Sequence, residues 1–186
     1  MKTVTIAMLV ITLLLVAGYG QQAHSSEEKT PPAVSLHMAV LQGNLEAVRQ
    51  HIEAGSDLNE KDAYGSTPLI ISAIFGKTDV ARALLEAGAD MKIRDNNGST
   101  PLHIAAFFCR TEIVKALLDN GANKYLRNNT GSTAFDIVAS PFDDDKDIYD
   151  SIRQALGPLG LELDYEQMSM TRPRIAGMLR PRPQDL

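Results

Sequence analysis

"GSTPLHIAAFFCRTEIVKALLDNGANKYLRNN", Gly98–Asn129, reads as two short helices and a connection. Thr100 before Pro101 is an N-cap followed by proline at the first helical position, where the missing N–H has no intrahelical partner to lose. "LHIAAFF" then makes a short helix whose small residues let a neighbour approach closely. "TEIVKALLDNG" opens with Thr111 as cap and Glu112 in the first turn, and closes at Gly121, suited to the left-handed position. Val114, Leu117 and Leu118 fall at helical spacing and form one apolar seam. "ANKYLRNN" is an extended, turn-rich connection. Two adjacent aromatics, Phe107 and Phe108, and the sole cysteine, Cys109, are left over from this pattern.

The block is one copy of a repeat. "GSTPL" at Gly65–Leu69 recurs at Gly98–Leu102 and as "GSTAF" at Gly131–Phe135, 33 residues apart both times. "VRQHIEAGSD", "ARALLEAGAD" and "VKALLDNGAN" recur in step, so Gly55, Gly88 and Gly121 share the spacing of 33. The segment from Val34 to Gly65 fits a first copy, with "VSLHMAV" where "TPLHIAA" stands later and Gly43 opposite Gly76. It lacks the Thr-Pro start, as terminal repeats do. A fourth copy opens with "STAFDIVAS", is interrupted by Pro141 and "FDDD", and regains a helix in "KDIYDSIRQAL", which reads as a capping repeat with an insertion. Period and pattern resemble those of ankyrin repeats. The resemblance spans Val34 to Leu163 and implies an all-α solenoid of helix-turn-helix units joined by hairpin-like loops. Repeats are expected at about 33–64, 65–97, 98–130 and 131–164, followed by a tail, 165–186. Its Arg172-Pro173, Arg180-Pro181 and Arg182-Pro183 pairs predict an extended segment rather than a long helix.

Upstream, "MKTVTIAMLVITLLLVAGYGQQA" has Lys2, an uncharged run from Val4 to Ala17, then small residues. The run is shorter than the roughly 20 apolar residues a bilayer span needs. It predicts a secretory signal peptide over 1–20, with cleavage after Gly20 or as late as Ala23, and a polar linker over 21–32. An uncleaved anchor is the alternative. Export, with a bacterial periplasm as the compartment, follows from this reading; secretion or N-terminal anchoring are its variants. The 186 residues carry a net charge of −5, which argues against nucleic acid as partner, since phosphate binding needs a basic face. One cysteine permits no internal disulfide.

Sites that invite chemistry have simpler readings. His37 and His103 occupy one place in two repeats, where Ile70 and Asp136 stand in the others, so no row of imidazoles forms for a metal. In the resembled family this histidine bonds the neighbouring turn. Asp143, Asp145 and Asp147 alternate as in a calcium loop, yet Ile148 and Gln154 stand where glycine and glutamate are needed. Cys109 has no His or Asp brought near it by the repeat, and it stands where Gly43 and Gly76 stand, so a left-handed, strained turn near the surface is expected. Asn97-Gly98-Ser99 and Asn128-Asn129-Thr130 are formal glycosylation acceptors, relevant to a eukaryotic secretory pathway. No phosphate loop or nucleophile elbow occurs. The sequence therefore predicts no cofactor, no metal and no catalytic site.

In the resembled family the two positions after "AA" and those beside the tip glycine face the concave surface. Here they are Leu41 and Gln42, Ile74 and Phe75, Phe107 and Phe108, with Tyr64 among the tips. The expectation is a protein-binding patch of Tyr64, Ile74, Phe75, Phe107, Phe108 and Leu41, since aromatics supply most hot spots. Two readings compete with it: one residue of each pair packs against the next repeat, or the tail folds back over the patch. The expected function is a non-enzymatic, monomeric protein–protein interaction module, with an inhibitor, an immunity-type protein or an accessory factor for an envelope enzyme as specific forms. An enzyme with active residues in the fourth repeat and tail is the alternative from another class.

Overall fold

The computed structural model describes residues 30–181. The expected signal peptide and the linker up to residue 29 lie outside the described residues. Three helix pairs follow in order: α1 (Leu36–Gln42) and α2 (Leu45–Glu53), α3 (Pro68–Ile74) and α4 (Thr78–Glu86), α5 (Pro101–Phe107) and α6 (Thr111–Asp119). Then come α7 (Ala134–Ala139), a 3-10 turn (Phe142–Asp145), α8 (Lys146–Leu156), a second 3-10 turn (Gly157–Leu159) and α9 (Tyr165–Leu179). No strand occurs among the described residues.

Each first helix packs on its own second helix and on the first helices beside it. Small residues make that approach possible: Ala39, Ala73, Ala105 and Ala106 are wholly buried, with Leu69, Leu84, Leu102 and Leu117 between layers. Thr67 and Thr133 accept the backbone N–H of Ile70 and Asp136, and Pro68 and Pro101 start their helices. Gly55, Gly88 and Gly121 are left-handed, with φ of 71°, 85° and 82°. Thr111 differs from expectation, and Thr78 one repeat earlier behaves in the same way. They are the first helical residues, not caps, and Lys77 and Arg110 precede them without a side-chain cap bond.

The loops form a second, polar ladder. Lys61 Nζ donates to the Arg94 carbonyl at 2.8 Å and Arg94 to the Arg127 carbonyl at 2.5 Å, one repeat on each time. The backbone N–H groups of Asn96 and Asn129 donate back to the Tyr64 and Asn97 carbonyls at 3.2 and 3.0 Å. Asn96 and Asn129, which flank the tip glycines, thus hold one loop to the next.

The fourth repeat corrects the sequence reading. Its second helix is α9, which packs on α7 and on α6, as α6 packs on α5 and α4. "KDIYDSIRQAL", expected in that place, is α8, which belongs to the insertion. The expected extended tail is a 15-residue helix with Pro173 inside it. Pro173 is exposed, so the carbonyl left without its helical N–H can face water, which keeps the cost of proline low.

Cys109 has φ of 55°, the sole positive value among described non-glycine residues. The thiol is half-buried rather than at the surface, and burial pushes its pKa up, away from a reactive thiolate. Cys109→Ala keeps the strain and loses the sulfur's packing, whereas Cys109→Gly removes the strain of roughly 1 kcal/mol. Urea unfolding should therefore find the glycine variant more stable than the alanine variant by about that amount.

His103 steadies the stack. Its Nδ1 accepts the Thr100 N–H at 3.2 Å, which leaves the proton on Nε2, 3.1 Å from the Ser132 carbonyl in the next loop. His37 Nε2 stands 3.1 Å from the Glu60 carbonyl in the same way. Burial lowers the His103 pKa below its ordinary value, because the imidazolium would lose water and Nδ1 faces a donor. The unfolded chain therefore binds this proton more readily. The contribution is present above about pH 6.5, the unfolded value, and is lost as pH falls through the lower folded value. The urea midpoint should drop between pH 7 and pH 5.5 in the wild type, and His103→Gln should reduce that drop.

Candidate protein-binding groove

The six residues expected to form one patch divide into two groups. Phe107 and Phe108, at the end of α5, are taken up by the protein's own C-terminal segment. Phe108 is 5 % exposed, so it cannot face a partner in the folded protein, and Arg110 lies over its ring at 6.0 Å. It borders a cavity of about 230 Å³ whose other walls include Gln167, Met168 and Thr171 of α9, beside Cys109 and Arg110. Phe107 is half-buried and stacks on Tyr149 of α8 at 4.6 Å. Tyr149 stacks in turn on Phe142 at 5.3 Å, and Tyr165 closes the cluster. The expectation of a free aromatic contact therefore fails outright for Phe108 and is largely taken by α8 for Phe107.

A buried polar knot fixes this arrangement. The Tyr149 hydroxyl donates to the Phe107 carbonyl at 2.6 Å. Arg172 of α9, 3 % exposed, donates to that hydroxyl at 3.2 Å, to the Ile137 carbonyl at 2.5 Å and to Asp145 Oδ2 at 2.6 Å. One guanidinium thus joins α9, α7, the 3-10 turn and α8, and through Tyr149 reaches α5. Burial pushes the Tyr149 hydroxyl pKa well above its usual value, so it stays protonated and able to donate. The Arg172 Nε has no hydrogen-bond partner among the described residues.

The other four expected residues remain together and open. Leu41, Tyr64, Ile74 and Phe75 line a groove of about 320 Å³ with Asp62, Ser66 and Ile71. Its far wall is Leu156 and Leu159, from the end of α8 and the turn after it. Tyr64 is 77 % and Leu159 51 % exposed, so both rims are in water. The groove is therefore built by repeats one and two together with the fourth-repeat insertion. Sequence reading missed Tyr149, Arg172, Leu156 and Leu159. The stripe Tyr149, Ile152, Leu156 was visible at helical spacing, but it was assigned to a second helix of the stack.

No cluster of three His, Cys, Asp or Glu side chains that would hold a metal ion exists among the described residues. No described helix is long and apolar enough to cross a membrane. A family model described as ankyrin repeats (three copies) matches residues 36–128, the three complete helix pairs. No curated protein matches the chain.

Proposed function

The chain belongs to the ankyrin-repeat family, and from that premise we propose that it is a non-enzymatic module that recognises another protein through the groove of Leu41, Tyr64, Ile74 and Phe75. Ankyrin repeats are as a class protein–protein interaction modules, and function lies in the surface each carries. The observation that carries the reading is the division of the expected patch. The chain itself closes the third-repeat end and leaves an apolar, walled groove at the first two. Such a groove is preorganised, because its floor is the rigid stack and its wall is pinned by Arg172, so little ordering cost is left for binding. A contiguous apolar surface of this kind marks interfaces.

The apolar run Val4–Ala17 supports export of the protein, with a bacterial periplasm as its place of action. Inhibition or support of an envelope enzyme is the form that a small, monomeric, cofactor-free binder would take there. N-terminal sequencing of the exported protein should begin at Gln21 or His24; a start at Met1 would make it an anchored scaffold instead. The groove is tested by affinity capture with wild type, Phe75→Asp and Tyr64→Ala proteins of equal helicity. A partner held equally by all three removes the groove from the function.

A further inference from the structure

We infer that the groove selects a partner segment that combines apolar side chains with a lysine or arginine, and that Asp62 is the residue that reads the cation. This inference rests on the groove reading above. Asp62 is the sole side chain charged at neutral pH among the described residues that line the groove. Its Oδ1 is engaged by the Tyr64 and Ser66 backbone N–H groups, both at 2.8 Å. Oδ2 makes no hydrogen bond within the described residues, and the side chain is half-buried.

A partner that fills the groove must strip water from this carboxylate. Without a counter-charge the loss of solvation opposes binding; with a cation set against Oδ2 it becomes a charge-assisted hydrogen bond. An acidic segment of equal apolarity meets both the desolvation and the like charge, so Asp62 rejects it. The acidic balance of the chain, 18 basic against 23 acidic residues, favours approach of the same kind of partner.

The charge can be removed without disturbing the turn. Asn128 occupies the equivalent place two repeats on, and its Oδ1 accepts the Thr130 and Ser132 N–H groups at 3.1 and 3.0 Å. Asp62→Asn therefore keeps the loop and deletes the cation contact. The probe is a labelled amphipathic leucine–lysine peptide, compared with its leucine–glutamate counterpart by fluorescence anisotropy. Wild type should bind the lysine peptide about tenfold more tightly, and Asp62→Asn should erase most of that preference. Glu86→Gln, the same charge change at an exposed position of α4, should leave it intact. The cation reading is overturned if Asp62→Asn retains the preference or if Glu86→Gln loses it equally. If Phe75→Asp abolishes binding while Asp62→Asn keeps the lysine preference, the groove stands and the cation reading falls; if Phe75→Asp changes nothing, both fall. Self-association of the peptide-free protein that Phe75→Asp dissolves would make a second copy the occupant and overturn the proposal. Weaker binding by the full chain than by the exported form, relieved by Phe75→Asp, would assign the groove to residues 1–20 and overturn it too.

Discussion

Phe108→Asp is expected to unfold the C-terminal half of the protein, whereas Phe75→Asp is expected to leave it folded and remove only binding. The two residues stand at the same place in successive repeats and looked alike in sequence. Phe108 is buried, with Arg110 over its ring and α9 across a shared cavity. Its replacement removes a buried aromatic, worth about 3–5 kcal/mol, and puts a carboxylate in its place at a further cost of several kcal/mol. That sum approaches the whole stability of a small domain, roughly 5–15 kcal/mol. Phe75 is half-exposed at the groove, so its aspartate keeps access to water and the loss should be about 1–2 kcal/mol. Circular dichroism melts separate the cases: Phe108→Asp should lose the cooperative transition at 25 °C, and Phe75→Asp should keep it. A normal melt for Phe108→Asp would mean that the ring is not sealed by α9. The contrast also decides which substitutions are usable in a binding assay, since an unfolded variant loses every partner.

Arg172→Ala is the second large effect. The side chain donates to Ile137, Asp145 and Tyr149 from a site with almost no solvent, so its removal leaves the Asp145 carboxylate without its counter-charge and the Ile137 carbonyl without this donor, while the Tyr149 hydroxyl keeps its bond to Phe107. Breaking a buried pair typically costs about 3–5 kcal/mol, and the 22 % exposure of Asp145 places this case at the low end, about 3 kcal/mol. Arg172→Lys should recover part of the loss, because an ammonium keeps the charge but not the fork that serves three acceptors. The urea midpoint should fall for Arg172→Ala, with faster hydrogen exchange in α8 and α9 before α1–α4. Groove binding should weaken in parallel, since Leu156 and Leu159 lose their anchor. An unchanged midpoint would show that the stacking of Tyr149, Phe142 and Phe107 holds the insertion without the arginine. For the same reason truncation after Asp164, the natural test of an enzyme located in the tail, is uninformative. It deletes α9, the second helix of the fourth repeat, and so removes the fold together with any activity.

The three complete repeats were legible because each is local. Thr-Pro starts, glycine ends and the Val-Leu-Leu seam act within a few residues, and the period of 33 shows that the same solution recurs. Cys109 was legible for the same reason: three copies aligned by their glycines place it at a left-handed turn, and its φ of 55° follows. The histidines are read through the resemblance, since a bond to a carbonyl in the next loop leaves no trace in local pattern. The candidate site was half legible. Leu41, Tyr64, Ile74 and Phe75 do converge, while Phe107 and Phe108 do not join them.

The sequence by itself determined the repeat, its helices and its glycine turns, because propensity and capping are decided by neighbours along the chain. Only the tertiary structure decided what covers the exposed ends of that stack. Two helical segments, Lys146–Leu156 and Tyr165–Leu179, follow α7 and are the candidates for the last position against it. The second takes it, with Ile175 and Leu179 fully buried and Arg172 finding acceptors on three elements. The first is displaced across the inner helices, where Tyr149 reaches Phe107 and Leu156 reaches the groove. That choice turns on burial and on partners more than 20 residues away in the chain, such as Arg172 with Asp145 and Tyr149 with Phe107.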